Sequence, residues 1–562
     1  MMRVLFFNNA GHTVMNNQPP SPSTEFRAPG PGPWSLDAAH FPRPVSWFQA
    51  EIHPAGISEG FLACARRYGM LIDTLEYHFV NGFAYSTVVP APPAEIPARF
   101  EAAEGVFRNK IWREDLALWD REVKPASIKT HQALLAVDPE ALDADELIAY
   151  IDQCRDNLRR MIAQHHTFNL AAMLPVGDFL AHVGAWTNTP MGEFLALTRG
   201  SAPESAGTFP EIDELAAEIR GNPNARKILE SAAASTDILG QLCNQRGALG
   251  TAAKAYLGVV GNRLLNSLDT GEPAAIEVPD VLVARIRLAV DVAARQEAAV
   301  SEAEVSRLRE TIPAEHHTLF DELLGEVRLM SRLRDERGFY SDVWAGGVMR
   351  RALLAAGSRL AAEGRIEEAA HLIEANYKET QALLNRKGGP SAAELAERAA
   401  YRRQHRVEIA PSQLGDPASP PPPMDGLPPG VFRVMRAVGT AIQSLGADAD
   451  AGRDPKIVKG IGVSPGTYSG TARVVDGPDD LGRLQRGDVL VTAATSDSFN
   501  IVLPLLGAIV TNAGGLLSHA AIVGREYGIP SVVGTRNATA LIKDGMRVTV
   551  NGTTGEVKFD AR

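Results

Sequence analysis

The sequence has little of what several large protein classes require. Its 562 residues include only three cysteines, Cys64, Cys154 and Cys243, and none of them belongs to a C-x-x-C pair. Because zinc sites and disulfide frameworks need clustered cysteines, neither is expected. No run of eighteen apolar residues suggests a membrane span. The first residues lack the apolar core and cleavage site of a secretory signal, so the sequence predicts a cytoplasmic protein.

Positive charge is also in short supply. There are 56 Lys and Arg residues against 67 Asp and Glu, a formal net charge of −11. A phosphate backbone attracts a basic face, so nucleic acid is not expected as the main partner. The G-x-x-x-x-G-K-[ST] loop of P-loop nucleotide sites is absent as well. The chain is too long for one hydrophobic core, and two to four domains are expected.

Composition changes along the chain predict four segments. Residues 1–30, rich in Pro, Ser, Asn and Gly, are predicted to form a disordered tail. Residues 31–408 are predicted to form a mainly helical domain, with helices at 145–165, 281–296, 320–334, 348–363 and 367–384. Residues 409–455 contain a proline-rich loop, a short helix at 431–445 and a small, polar hinge at 446–455.

Residues 456–562 have a different pattern. Short β-rich segments at 471–475, 488–492, 508–511, 531–533, 547–550 and 556–559 are separated by Gly and Asp turns. One short helix is predicted after Ser518. This pattern predicts a small α/β domain at the C-terminal end of the chain.

Residues 511–530 carry the most informative motif. They read as the end of a strand, a glycine turn, a short helix and a stop at Gly528. Gly514 and Gly515 allow a tight turn with exposed amides, and Ser518 is a good N-cap. His519 therefore falls on the first helical turn.

A histidine at the start of a helix is suited to carrying phosphate. The positive helix end disfavours protonation, so the imidazole stays neutral and nucleophilic. Once phosphorylated, the ring would be stabilised by the same helix end, the free amides and the hydroxyl of Ser518. The alternative is a histidine that merely caps the helix.

The segment 511–530 resembles the phosphohistidine signature of the phosphoenolpyruvate-utilising enzyme family. Residues 459–466 and 470–474 are similar to the opening strand of that family's swivelling domain, which carries phosphoryl groups between active sites. Many members have Thr where this sequence has Leu517, which leaves more phosphate binding to Ser518 and the amides of Gly514 and Gly515. The resemblance implies a large, mainly α-helical acceptor domain followed by a small α/β swivelling domain, a β/β/α sandwich.

A second motif points to different chemistry. Residues 462–466, Gly-Val-Ser-Pro-Gly, satisfy the G-x-S-x-G pattern of a hydrolase elbow. That elbow uses the backbone N–H after the serine for its oxyanion hole, and Pro465 has no N–H. A serine hydrolase is therefore excluded, and Ser464 is expected to be structural.

The segments present in this chain are fewer than the domains of a complete dikinase of the family. Complete dikinases of the family have an ATP-grasp domain, and the pyruvate-using members have a barrel after the swivelling domain. Here 43 residues follow His519, and the N-terminal part reads as helical, so neither is expected. The remaining parts resemble the α subunit of phenylphosphate synthase and a rifampin phosphotransferase without its ATP-grasp domain. Residues 32–44 are similar to the entry of the acceptor domain in such proteins.

This resemblance implies a phosphotransferase subunit of dikinase type. ATP and Mg²⁺ would be used by a separate ATP-grasp subunit, with no cofactor or metal bound tightly by this chain. The acceptor would be a small hydroxylated molecule, a phenol. Open alternatives are a component similar to phosphoenolpyruvate synthase or rifampin phosphotransferase, and a non-catalytic phosphocarrier.

Transfer to a hydroxyl needs a base and cations, which makes three further residues candidates. His40 is the candidate base, because Pro42 and Pro44 imply an ordered loop; the alternative is a packing histidine. Arg334 and Arg337 precede Phe339 and resemble a phosphate-binding patch, although solvated charge is the simpler interpretation. The adjacent pairs His165-His166 and His316-His317 do not share a helix face, so neither pair is expected to chelate a metal. An aryl pocket could be lined by Trp47, Phe48, Phe79, Phe83 and Tyr85, although packing in the core explains these residues equally well.

Overall fold

Two parts of different secondary structure follow one another along the chain. The computed structural model describes residues 25–38, 40–202, 209–265, 268–291, 300–418, 423–445, 457–476, 478–495, 499 and 502–559. A large helical region precedes a small α/β domain at the C-terminal end. The predicted fold class is confirmed. The predicted hinge at 446–455 and most of the predicted tail, residues 1–24, lie outside the described residues.

The helical region is built around two consecutive long helices, Ala144–Thr167 and Asn169–Trp186. The first begins with a capping box, in which the Asp143 carboxylate accepts from Glu146 N at 2.9 Å and the Glu146 carboxylate accepts from Asp143 N at 3.0 Å. Its apolar residues recur at helical spacing and are buried, as the sequence predicts. By length and composition alone, residues 144–186 could cross a membrane, but 67% of the apolar window is buried inside the fold. That burial is typical of a core helix.

The other helices surround this pair. They are Trp47–Arg67, Ile96–Asn109, Ile111–Leu118, Lys124–Leu135, Met191–Ala196, Pro210–Arg220, Pro223–Leu229, Ser235–Cys243, Ala248–Tyr256, Pro279–Asp291, Glu302–Arg309, His317–Met330, Leu333–Phe339, Asp342–Ala362, Tyr377–Leu384, Ala392–Gln404 and Pro429–Gln443.

Two helix predictions are wrong in extent. The predicted helix 367–384 is a 3₁₀ segment, Ala369–Glu374, followed by a separate helix that starts after Asn376, whose side chain accepts from Glu379 N at 2.9 Å. The predicted helix 320–334 is divided between His317–Met330 and Leu333–Phe339. In both places a local capping or turn arrangement interrupts an apolar periodicity that continues in the sequence.

A four-stranded antiparallel sheet within the helical region was not predicted. Its order is Ile72–Val80, Phe83–Pro90, Pro33–Leu36 and Gln413–Gly415. Asn81 and Gly82, both with positive φ, form the two-residue turn of the central hairpin. Asn-Gly between two apolar runs is a strong hairpin signal, so this element was visible in the sequence. The sheet also brings residues of the proline-rich segment, 413–415, back to the start of the chain.

The small domain contains one eight-stranded sheet. The strand order is Ile457–Lys459, Glu556–Phe559, Arg547–Asn551, Thr467–Val475, Val489–Thr492, Ala508–Thr511, Ser531–Val533 and Ile461–Ser464. The central pairings are parallel and the outer ones antiparallel. The predicted strands and the predicted short helix, His519–Glu526, are confirmed. Ser464 is buried and its hydroxyl donates to Gly524 O at 2.9 Å, which is a structural role.

The small domain is docked on the helical region. Leu517 is 4% exposed, and the other buried members of its apolar cluster, among them Phe179, Phe194 and Phe320, belong to the helical region. Leu517 N also donates to Ser444 O at 2.9 Å, and Gly200 N donates to the Glu526 carboxylate at 2.8 Å. This contact places the first turn of helix His519–Glu526 against the helical region.

Candidate active site

His519 is positioned by a strand, a glycine turn and a helix start. The strand Ala508–Thr511 leads into a turn in which Gly514 has φ of +114°. A Cβ on Gly514 would lie 2.8 Å from Ser518 Oγ, so both the backbone angle and the space require glycine there. Gly515 O accepts hydrogen bonds from the backbone N and the side chain of Ser518. The turn therefore presents His519 as the first residue of the helix.

Ser518 occupies the N-cap position, but its side chain does not cap the helix. Its backbone angles are extended, as an N-cap requires, while its hydroxyl donates to Gly515 O at 2.8 Å. The serine hydroxyl thus stabilises the glycine turn. The predicted side-chain cap is wrong, because the turn offers the hydroxyl a carbonyl acceptor closer than the helical amides.

The imidazole of His519 is buried and held by a threonine. It is 6% exposed, and Nδ1 lies 2.9 Å from Thr495 Oγ1. Burial, with the nearby charge of Arg334, lowers the pKa of His519 to about 4, while Asp335 acts in the opposite direction. The ring is therefore neutral at pH 7, as expected for a nucleophile. The main cause is burial against the helical region, whereas the sequence pointed to the helix end.

Arg334 and Asp335 belong to the helix Leu333–Phe339 of the helical region. Arg334 lines a cleft between the two parts of the chain, together with Arg525, Glu526, Thr198, Ser331 and Leu517. Burial and the proximity of Arg334 lower the pKa of Arg525 to about 10. Two guanidinium groups that repel each other beside a nucleophile make a favourable place for an anion.

The other predicted arginine has a different position. Arg337 is buried, and its guanidinium donates to His165 O at 3.3 Å and to the Asn169 side chain. Arg337 therefore fixes the end of helix Ala144–Thr167 and does not line the cleft. The interpretation as solvated surface charge is wrong for Arg337, because the helix carrying it packs into the core.

His40 lies at the exposed end of a histidine cluster. Its side chain is 64% exposed, and Nδ1 lies 2.9 Å from Asp37. The cluster continues inward through His53, His165 and His166, whose pKa values are all lowered mainly by burial and also by the charge of His40. His40 therefore lies at the exposed end of this cluster and is electrostatically linked to the interior of the helical region.

The predicted aromatic residues divide into separate groups. Phe79 packs against His53, with ring centroids 6.2 Å apart. Phe83 and Tyr85 instead pack with Trp34 and Leu414 in a separate cluster under the N-terminal sheet. Only the first of these groups adjoins the histidine cluster.

Several residues of the site were not found from the sequence. Thr495 lies in an irregular segment 24 residues before His519, and Asp335 stood in a charged run beside the predicted Arg334. Asp342, which bonds His165, is 177 residues away along the chain. No local pattern marks pairs that only the tertiary fold brings together.

Comparison with known proteins agrees with the two-part architecture of the chain. Residues 484–555 match the PEP-utilising enzyme mobile domain, and residues 142–335 match the rifampicin phosphotransferase fourth domain. Rifampicin phosphotransferase from Streptomyces sviceus is 29% identical over 62% of this chain and 38% of its own length. The Bacillus cereus enzyme of that name is 45% identical over 18% of this chain and 12% of its own length.

Chondramide synthase cmdD from Chondromyces crocatus is 26% identical over 93% of this chain and 14% of its own length. The chain thus spans less than two fifths of each of these relatives. The two domain matches cover the helical region and the His519 domain separately, in the order the fold shows. These matches support the PEP-utilising enzyme family for the His519 domain and an architecture like that of rifampicin phosphotransferase for the chain.

Proposed function

We propose that this chain is a phosphotransferase component of the PEP-utilising enzyme type, in which His519 carries an ATP-derived phosphoryl group to a small hydroxylated acceptor. The observation that carries the proposal is that His519 is buried beside the Leu517 contact, where the small domain docks on the helical region, and feels the charges of Arg334 and Asp335. A carrier histidine docked in this way faces the part of the chain in which an acceptor would bind. The acceptor we propose is a phenol.

The phosphoryl group must enter in another posture. With His519 only 6% exposed, a bulky nucleotide site cannot reach the ring while the small domain is docked. We propose that the domain swings on the segment 446–455 to a separate ATP-grasp subunit, which uses ATP and Mg²⁺. Hinge motions of this kind occur on the μs–ms scale. The swing would break the Leu517 contact and the hydrogen bond between Gly200 and Glu526.

Delivery would take place in the docked posture. Thr495 holds Nδ1, so we assign the phosphoryl group to Nε2 of His519. Arg334 and Arg525 would offset the charge on the phosphoryl oxygens, together with the amides of Gly514 and Gly515. Positioning and charge neutralisation are the main demands of phosphoryl transfer, and the docked cleft meets both.

A second acceptor class is favoured by one comparison. The match to the rifampicin phosphotransferase fourth domain covers residues 142–335, which include His165 and Arg334. Rifampicin is therefore the second candidate acceptor, and a cytoplasmic location would suit either substrate.

The test is intact-mass analysis of acid-labile phosphate on the purified chain. We expect phosphorylation when an ATP-grasp protein encoded near its gene and ATP are added, loss of the label on adding phenol, and no label on His519→Ala. His317→Ala is the matched control, because His317 also begins a helix but its Nε2 lies 3.0 Å from Ile312 O. Phosphate on the His519→Ala variant would refute the proposal. A stable phosphohistidine that no phenol or rifampicin discharges would favour a phosphocarrier.

A further inference from the structure

Several buried polar groups of the helical region have no role in the steps described so far. His53, His165 and Asp342 are 2%, 9% and 3% exposed. Three neighbouring buried atoms have no hydrogen-bond partner among the described residues: His166 Nε2, Asp342 Oδ2 and Gln49 Oε1. Each such atom destabilises the fold if nothing binds it, because it has given up its hydrogen bonds to water. A polar ligand at this place would remove that destabilisation.

We propose that His165 and Asp342 are the pair that activates the acceptor hydroxyl, which binds beside Nε2 of His165. This inference rests on the proposed function and names its base. His165 stands in the last turn of helix Ala144–Thr167, and Asp342 begins helix Asp342–Ala362. Nδ1 of His165 lies 2.9 Å from Asp342 Oδ1.

The hydrogen bond sets the orientation of the ring. With the carboxylate accepting from Nδ1–H, the lone pair of the imidazole is on Nε2. None of the described residues makes a hydrogen bond to Nε2 of His165, so this atom is left for a ligand. Arg337 holds the backbone of His165 through its carbonyl, which fixes the position of the base.

The surroundings of the pair keep the imidazole of His165 neutral before transfer. Burial lowers the pKa of His165 well below its ordinary value, and Arg337, His40, His53 and Arg334 act in the same direction. Burial raises the pKa of Asp342 to about 7, while His53 and Arg337 oppose the rise. The imidazole is therefore neutral before transfer, and the imidazolium formed during transfer lies against the Asp342 carboxylate.

Arg334 links the pair to the phosphoryl carrier. Its charge acts on both His165 and His519, so this arginine lies near both groups. His40, the base predicted from the sequence, is exposed and is held by Asp37, which also accepts from Tyr77 Oη at 2.9 Å. His40 is thus less suited to a step from which water must be excluded.

The surroundings indicate the class of acceptor. The ring of His53 is met edge-on by Phe41 and Tyr77, with centroids 5.1 and 5.9 Å away. Phe61 stacks on His166 at 5.0 Å. Aromatic side chains beside a few buried polar groups favour a flat aromatic ligand with one hydroxyl, that is, a phenol.

In the proposed step, the phosphoryl group passes from His519 to the acceptor while His165 takes the proton of the acceptor hydroxyl. Nε2 of His165 takes the hydroxyl proton while the acceptor oxygen attacks the phosphorus. The bond between phosphorus and Nε2 of His519 breaks, and its electron pair returns to that nitrogen. An aryl phosphate, neutral His519 and protonated His165 result, and His165 then releases its proton to water.

The inference can be tested with the full chain and no partner. Phosphoramidate, which phosphorylates histidine chemically, loads His519, with His519→Ala as the background. The loaded protein is mixed at pH 8 with phenol or with 4-nitrophenol, which is largely ionised there and needs no base. Aryl phosphate formation is measured for wild type, His165→Gln and Asp342→Asn. His371→Gln is the matched control, because His371 is also buried and its ring nitrogens lack hydrogen bonds.

We expect both site variants to lose about 10²- to 10⁴-fold in rate with phenol, the usual contribution of a general base, and only a few-fold with 4-nitrophenol. His371→Gln should match wild type with both. Equal loss with both acceptors, or no loss with phenol, would overturn the base assignment and leave the proposed function standing. If wild type phosphorylates neither compound, the proposed function fails and the base assignment fails with it. If His165→Gln does not fold, the rates of Asp342→Asn with the two acceptors test the base assignment.

Discussion

Replacement of Leu517 by alanine should release the small domain from its docked position. Among the buried members of its apolar cluster, Leu517 is the one contributed by the His519 domain, so truncation creates a cavity between the two parts of the chain. Burying a leucine side chain contributes about 1.5–3 kcal/mol, and Leu→Ala changes in cores cost about 2–5 kcal/mol. For this one-sided contact we take about 2–3 kcal/mol, which raises the undocked fraction about 30- to 160-fold.

The assay is the rate at which diethyl pyrocarbonate modifies His519, followed by peptide mass spectrometry. His519 is 6% exposed when docked, so the rate should follow the undocked fraction. Leu541→Ala is the control, because Leu541 belongs to the same domain and is 41% exposed. His131, fully buried in the helical region, reports global unfolding within the same sample.

An unchanged rate at His519 in Leu517→Ala would refute the docking argument. A parallel increase at His131 would also refute it, because the variant would then have loosened the whole fold. An increase at His519 alone, absent from Leu541→Ala, is the expected result.

Three further predictions follow from the same contacts. Thr495→Val should slow phosphorylation of His519 about 5- to 10-fold, since it removes one hydrogen bond worth about 1 kcal/mol, and Thr495→Ser should restore the rate. The equilibrium constant for docking of the small domain should fall about 20-fold between pH 7 and pH 5. Hydrogen exchange of the Leu517 amide measures this fall, which should not occur in His519→Gln. The pKa of His519 is about 4 in the docked state, below its ordinary value of 6.5, so protons bind the undocked state preferentially. The docking free energy therefore reaches its full value only above about pH 6.5. The purified chain should show no micromolar ATP binding by calorimetry, because we assign the nucleotide site to a separate subunit; such binding without a partner would contradict that assignment.

The small domain could be predicted almost completely, because its signals are local. Its strands are short β-rich runs between turns, and the glycine turn, helix start and stop around His519 lie within twenty residues. The arrangement of the hydroxyl of Ser518 could not be predicted, since a serine before a helix can accept from an amide or donate to a nearby carbonyl. Only the folded turn decides between them.

The acceptor side was predicted less well for a different reason. Its polar contacts join distant parts of the chain, as His165 and Asp342 do across 177 residues. The adjacent histidines 165 and 166 were considered only as a metal pair, for which their spacing is unsuitable. Once folded, they face different partners: His165 bonds Asp342, and His166 stacks on Phe61 and bonds Asn169. The adjacency of these two histidines in the sequence could not reveal that each contacts a different part of the fold.

Leu517 connects the docking of the small domain with phosphate binding. The family resemblance implied a threonine there, with a hydroxyl able to bind phosphate, whereas this chain has an apolar side chain that inserts into the helical region. On the proposed function, the cations beside the phosphoryl group are Arg525 from the small domain and Arg334 from the helical region. These two guanidinium groups meet only when Leu517 is seated. The charge needed to stabilise the transferring group is therefore complete in the docked posture and incomplete at the partner subunit, so the same contact that holds the domain also limits transfer to the acceptor site.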